Sequence, residues 1–192
     1  MEASYFRNYC GRGSYDEVYR EHSGIEHCLR TARRLGIRAR SVVVLGTATG
    51  RVLEDFEASW RVRPAGCEVS AWAHARIPPR LRRRIERSDM RDYVPALVAR
   101  SASFDLLFTN SLIYLAVRDL PGLLADCSRI ASHVHFYSST SESYEPGDRH
   151  RVTLRPREWW RQLFRASGFE PTRSPYFWRS ARVAARRIRP RA

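Results

Sequence analysis

The chain has 192 residues, 43% of them hydrophobic, which is enough for one globular domain with a full core. It has no run of about 18 apolar residues and no apolar N-terminal signal segment, so we expect a cytoplasmic protein that contacts no membrane. Its net charge of +14 comes from 34 arginines without a single lysine, a pattern typical of a GC-rich bacterial genome rather than of selection for nucleic acid.

The sequence contains two basic clusters and four cysteines. The clusters, Arg80–Arg84 and the tail Arg182–Arg191, are most simply solvated surface. A nucleic-acid-binding module therefore rests on charge alone, and steep salt dependence of binding would support it. The cysteines are scattered without a CxxC pair, which predicts reduced thiols and no zinc site; they are Cys10, Cys28, Cys67 and Cys127.

The N-terminal region, residues 1–40, reads as an arm followed by a helix. The arm carries Tyr5, Phe6 and Tyr9, which we expect to pack on the domain and to cover a pocket. The helix begins at a capping box, Ser14–Glu17, and ends near Gly36.

Helices and strands alternate over residues 41–180, ahead of a basic tail at 181–192. Strands are predicted at Val42–Leu45, Pro64–Ser70, a segment ending at Ser88–Met90, Phe104–Thr109, Val134–Tyr137, and once or twice within Glu170–Trp178. Between them, helices are predicted from Arg51, at Ala71–Ile77, Tyr93–Val98, Leu120–Ile130 and Pro156–Ser167. This order predicts a single-domain α/β fold with a mainly parallel sheet and helices on both faces. Ligands of such sheets bind at the carboxyl ends of the strands.

The stretch Ser41–Glu57 combines a buried strand, a small-residue turn and a helix. In the turn, Gly46-Thr-Ala-Thr-Gly50, small residues let a ligand approach the backbone, and the following helix points free N–H groups at it. An ordinary turn with glycines for geometry alone is the alternative reading. The turn by itself does not decide between the two.

Two carboxylates at the next strand ends favour a ligand. Glu68, 18 residues after Gly50, can accept both hydroxyls of a ribose. Asp89 can accept from an adenine amino group while the backbone N–H of Met90 donates to a ring nitrogen. The turn and the two acids, in this order, predict an adenosine-containing cofactor.

These segments resemble the class I S-adenosylmethionine-dependent methyltransferases. VVVLGTATG is similar to their first motif, GCEVS to the second, SDM to the third, and FDLLFTNSLIYL to the fourth strand and its loop. RPREWWRQLFRASGF resembles their late helix, so the likeness covers Val42–Phe169. It implies a seven-stranded Rossmann-like sheet and S-adenosylmethionine as co-substrate. The cofactor-binding residues that it implies are Gly46, Thr47, Ala48, Gly50, Glu68, Val69, Asp89, Met90, Asn110, Ser111 and Tyr114.

The resemblance also implies methyl transfer to a small metabolite, within specialised natural-product metabolism. The candidate reactive residues are Asn110, Tyr137, Tyr144 and Ser174. The groups available as a base for methyl transfer after the fifth strand are His135, Glu142, Tyr144 and His150. A lone histidine such as His135 is more often a core or surface residue, and His74 is expected on a helix surface. Nicotinamide binding is the competing interpretation of such a sheet, but the turn does not supply the GxGxxG pattern.

Two positions depart from the family pattern. Ala48 replaces its middle glycine, and Val44 stands where an acid commonly helps to hold the methionine ammonium. The loss of that acid is most simply drift, yet it favours a neutral amine. It therefore fits the azetidine-2-carboxylate synthases of this fold, in which the amine of S-adenosylmethionine attacks its own γ-carbon. For them the cofactor alone is the substrate, and aromatic residues could line the sulfonium pocket. A catalytically inactive partner subunit is a further alternative.

Overall fold

The computed structural model describes residues 3–7, 25–137, 140–141 and 150–182. Within these ranges the strands are β1 (Val42–Leu45), β2 (Ala65–Cys67), β3 (Ile85–Glu86), β4 (Phe104–Thr109), β5 (Ala131–Phe136), β6 (Phe169–Pro171) and β7 (Phe177–Ser180). The α-helices are α1 (Ala3–Arg7), α2 (Ile25–Arg34), α3 (Arg51–Trp60), α4 (Ala71–Arg76), α5 (Pro79–Arg82), α6 (Met90–Ala99), α7 (Leu120–Ile130) and α8 (Arg157–Ala166).

The strands form one sheet in the order β3-β2-β1-β4-β5-β7-β6. The first five strands are parallel, and β7 pairs antiparallel with both β5 and β6. The prediction of an α/β fold with a mainly parallel seven-stranded sheet is therefore confirmed. Because β1 lies centrally and the order reverses between β1 and β4, the turn after β1 lies at a topological switch point, where such sheets bind ligands.

The two faces of the sheet carry separate apolar cores. On one face α2 and α3 pack against Val42, Val44 and Phe108, and all four residues of β1 are buried. On the other face α6, α7 and α8 pack against Val43, Leu107 and Val134, among others. Burial on both faces explains why β1 reads as an unbroken apolar run.

Several boundaries differ from the sequence-based expectation. The third strand ends at Glu86, because Ser88 and Asp89 lead directly into α6, with Asp89 as its N-cap. The fifth strand begins at Ala131, three residues earlier than expected. The prediction of Leu120–Ile130 as a helix is confirmed to the residue. The capping box at Ser14–Glu17 lies outside the described residues.

Candidate active site

The turn after β1 adopts a conformation that few residues tolerate. Gly46, Ala48 and Gly50 have φ angles of 77°, 47° and 95°, all in the left-handed region. The position of Ala48 thus requires the backbone conformation that glycine adopts most readily. The N–H groups of Gly46 and Thr47 both point to the carbonyl of Cys67 on β2, at 3.1 and 3.2 Å.

Gly46 is also in close contact with the loop that follows β4. A Cβ atom on Gly46 would lie 2.2 Å from the Oγ of Ser111. Ser111 is held there because its N–H donates to Thr109 Oγ1 at 3.1 Å, and the Thr109 hydroxyl donates to the Leu45 carbonyl at 3.0 Å. The turn after β1 and the loop after β4 therefore form one continuous surface at the carboxyl edge.

Glu68 ties the end of β2 to the same turn. Its Oε2 accepts the N–H of Ala48 at 2.7 Å, and its Oε1 accepts the N–H of Ser70 at 2.9 Å. The side chain is buried, and burial raises the pKa of Glu68, whereas the two N–H donors act in the opposite direction. Each oxygen retains a lone pair that can accept a hydroxyl.

Asp89 is held by Arg91, which lies two residues further along the chain. Its Oδ1 accepts the N–H of Arg91 at 2.8 Å, and its Oδ2 accepts Nη2 of Arg91 at 2.8 Å. Arg91 also donates to Asp119 at 3.0 Å. Hydrogen bonds from Arg91 lower the pKa of Asp89, so this acid is ionised and oriented as the first turn of α6 begins.

The short helix α1 packs directly against the turn. Tyr5 and Phe6 are buried with Ala48 and Ala73 in one apolar cluster. The ring of Phe6 stacks on Trp72, with centroids 5.2 Å apart. The two hydroxyls of Tyr5 and Tyr114 are 2.8 Å apart. Aromatic residues of the arm thus meet Tyr114, which the resemblance assigned to cofactor binding.

Asn110 and Tyr137 are brought together at the ends of β4 and β5. With its amide nitrogen as the donor, Asn110 bonds the carbonyl of Thr109 at 3.0 Å and that of Tyr137 at 2.7 Å. Ser174 lies in the turn between β6 and β7, where its Oγ accepts the N–H of Tyr176 at 3.3 Å. Since Phe177 is paired with His135, this turn is at the same edge of the sheet. Tyr144 lies outside the described residues.

Three further residues that the resemblance assigned to cofactor binding differ from one another in exposure. Val69 is 50% exposed, an unusual state for a large apolar side chain two residues after an internal strand. Met90 is partly buried against the core as the first residue of α6. Thr47 is 2% exposed, and within the described residues its Oγ1 has no hydrogen-bond partner.

The histidines have more specific surroundings than the sequence indicated. His135 is fully buried in β5, as expected of a core residue, but its ring faces His27 from the first turn of α2. His74 is not a simple surface residue, because its Nε2 lies 2.9 Å from the carbonyl oxygen of Ile85. The sequence did not single out His27, because nothing near a histidine on a helix surface indicates that it meets His135, 108 positions away.

Within the described ranges, no three His, Cys, Asp or Glu side chains cluster as metal ligands do. None of the helices described is long and apolar enough to span a membrane.

The chain is similar to known proteins in its three-dimensional structure. No protein-family model matches the chain, and no curated protein matches it in sequence. It superposes on DesVI of Streptomyces venezuelae with a TM-score of 0.67 and 17% identity, covering 87% of this chain and 97% of DesVI. For the sugar N-methyltransferase KedS8 from a Streptoalloteichus species the TM-score is 0.65 and the identity 17%, over 86% and 92% of the two chains.

A third structure agrees with these two. An S-adenosylmethionine-dependent methyltransferase from Archaeoglobus fulgidus gives a TM-score of 0.65 at 18% identity, covering 81% of this chain and 73% of that one. At such identities the likeness concerns the fold. The chain therefore has the fold of the S-adenosylmethionine-dependent methyltransferases.

Proposed function

We propose that this protein is an S-adenosylmethionine-dependent methyltransferase that acts on a small metabolite. The observation that carries the proposal is the placement of three groups at the carboxyl ends of adjacent parallel strands. The turn Gly46–Gly50 follows β1, Glu68 follows β2, and Asp89 lies just beyond β3. The Glu68–Ala48 hydrogen bond joins the first two of these groups into one unit.

The residues of the site fit this co-substrate chemically. Within the turn, Thr47 offers a buried hydroxyl that has no partner among the described residues, between Gly46 and Ala48 with their left-handed backbone angles. Glu68 can accept ribose hydroxyls, Asp89 can accept an adenine amino group, and the exposed face of Val69 can pack on a base. The co-substrate supplies an electrophilic methyl group on a sulfonium; the residues of the chain bind and orient it.

A small acceptor is supported by two observations. KedS8, with which the chain shares its fold, is a sugar N-methyltransferase, and it covers nearly the same length. Three of the four arginines in the basic cluster Arg80–Arg84 make contacts within the protein, which argues against nucleic acid. Arg80 pairs with Glu54 and Glu57 and Arg84 with Glu57, while Arg82 donates to backbone carbonyls. We place the enzyme in specialised metabolism of the bacterial cytoplasm.

Cyclisation of S-adenosylmethionine to azetidine-2-carboxylate is the second candidate. It is favoured by Val44, which is fully buried and brings no carboxylate to the end of β1. The aromatic residues Tyr5, Phe6 and Tyr114 beside the turn also suit a sulfonium held without a second substrate. Methyl transfer stands first because it is the commoner chemistry of this fold.

One experiment separates these functions. The full chain is incubated with S-adenosylmethionine alone and with pools of small amines and alcohols, and products are identified by mass spectrometry. A methyltransferase yields S-adenosylhomocysteine only with an acceptor, whereas a cyclase yields methylthioadenosine without one. Failure to bind S-adenosylmethionine in calorimetry would overturn both and favour an inactive partner subunit.

A further inference from the structure

A second cluster of titratable rings lies at the same edge of the sheet. The Nδ1 of His27 on α2 and the Nε2 of His135 on β5 are 3.5 Å apart, although the residues are 108 positions apart in the chain. The His27 ring also contacts the rings of Tyr137 and Tyr176, with centroids 5.3 and 4.8 Å away. The cluster is outside the residues assigned to the co-substrate.

The plane of the His135 ring is held by its surroundings. Its ring stacks on Phe108 at 5.1 Å with a 6° interplanar angle, and Phe177 meets it edge-on at 4.9 Å. It is fully buried, and no partner for its Nδ1 exists within the described residues. Burial lowers the pKa of His135 to about 3, so at neutral pH one of its ring nitrogens always carries a lone pair.

The cluster is connected to the reactive end of the proposed site through short contacts. Ser111 packs on Gly46, and the preceding residue, Asn110, donates its amide to the Tyr137 carbonyl at 2.7 Å. Tyr137 in turn meets the His27 ring, and its own side chain is 43% exposed. His135 lies near the end of β5, and His27 contacts Tyr176 just before β7. In the sheet, β4 lies between β5 and β1, whose turn belongs to the proposed site.

We propose that His27 is the base that takes the proton of the methyl acceptor, with His135 as the positioning residue that fixes the His27 tautomer. When His135 Nε2 accepts from His27 Nδ1–H, the Nε2 of His27 carries the lone pair. Protonation at this nitrogen then strengthens the bond to His135, because an imidazolium is the better donor. The inference rests on methyl transfer as the proposed function.

The proposed methyl transfer involves the acceptor, the sulfonium and His27. An O–H or N–H group of the acceptor attacks the methyl carbon, and the new O–C or N–C bond forms as the S–CH₃ bond breaks. The electron pair of that bond stays on sulfur, and the acceptor's proton moves to His27 Nε2. The exposed ring of Tyr137 suits an acceptor with an apolar or ring face beside the reacting group.

Burial and neighbouring charges keep the His27 imidazole in its neutral form, which can accept a proton. Burial lowers the pKa of His27, and repulsion from Arg30 and Arg34 on the same helix lowers it further. Among the described residues of the other elements packed against it, the titratable groups are His135, Tyr137 and Tyr176. His27 is therefore neutral at pH 7, and turnover should decline only on the acid side.

The tautomer is tested without any ligand. Histidine-labelled full-length protein is examined by ¹⁵N NMR across pH 4–9, for the wild type and for His135→Phe, which keeps a ring against Phe108. We expect neutral His27 to be the Nδ1–H tautomer in the wild type and the Nε2–H tautomer in His135→Phe. A wild-type His27 protonated at Nε2 in its neutral form would overturn the proposal.

The catalytic role is tested with the acceptor that the mass-spectrometric screen identifies. We expect His27→Gln to lower kcat by about 100-fold or more, with affinity for S-adenosylhomocysteine within twofold of wild type. Arg30→Gln, an exposed matched change, should keep kcat at pH 8 and move the acid limb of the profile to higher pH. Unchanged kcat in a folded His27→Gln protein contradicts the inference, while S-adenosylhomocysteine binding separately tests the proposed function.

Discussion

The Glu68 carboxylate and the Ala48 backbone N–H are 2.7 Å apart, so the end of β2 is bonded to the turn after β1. This bond is buried, and its acceptor is ionisable. One side chain therefore shapes the turn and also keeps free lone pairs at the carboxyl edge of the sheet.

Glu68→Ala should weaken binding of S-adenosylhomocysteine by about 1.5–3 kcal/mol, the usual contribution of hydrogen bonds to a charged group. Calorimetry measures the affinity, and circular dichroism confirms the fold. Glu86→Gln is the control, because Glu86 ends the next strand but its side chain is exposed. Equal affinity in Glu68→Ala and wild type would remove Glu68 from the site.

Gly46→Ala should destabilise the protein more than Gly36→Ala does. Both residues have positive φ, 77° and 70°, so both changes carry similar backbone strain. Only at Gly46 does the new Cβ collide, with the Ser111 side chain, which adds about 1–3 kcal/mol of overpacking. Urea unfolding measures the difference, and Gly46→Ala combined with Ser111→Gly should recover part of it. Equal losses at the two glycines would show that the turn and the β4 loop are not in contact.

Asp89→Asn should reduce the preference of the site for adenosine over inosine. An amide nitrogen in place of the ionised oxygen presents a donor to the adenine amino group, so affinity for S-adenosylhomocysteine should fall by about 1.5–3 kcal/mol. The inosine analogue, which offers a carbonyl, should lose less. Asp126→Asn serves as control, because Asp126 pairs with Arg129 on α7. A parallel loss for both nucleosides would mean that Asp89 supports the fold and does not contact the base.

Acidification should destabilise the protein through His135. Its pKa is lowered to about 3 in the folded state and is near 6.5 when unfolded, so the unfolded chain binds more protons between these values. Stability is therefore full above pH 6.5 and decreases as the pH falls below it. Between pH 7 and 5 the loss is about 2 kcal/mol, and His135→Phe should abolish that component. Urea unfolding at the two pH values checks this, and an identical loss in the variant would contradict it.

The sequence by itself determined the α/β fold class and which residues follow the first strands as candidates for the site. The apolar run Val42–Leu45, the glycines after it and the acids at Glu68 and Asp89 are local signals. Each depends on residues adjacent in the chain, and parallel strands place their ends at one edge in any such fold. The order of the elements therefore sufficed to bring the turn and the two acids to one side of the sheet.

Only the tertiary structure decided which side chains meet across that edge. Arg91 reaches Asp119, Tyr5 reaches Tyr114, and His27 reaches His135 over separations of 28, 109 and 108 residues. Periodicity predicts which face of a helix is buried, but not the partner it finds there. The end of the third strand was misjudged for a different, local reason: the Asp89 carboxylate accepts the N–H of Arg91 and so caps the start of α6, where an acidic strand end was expected.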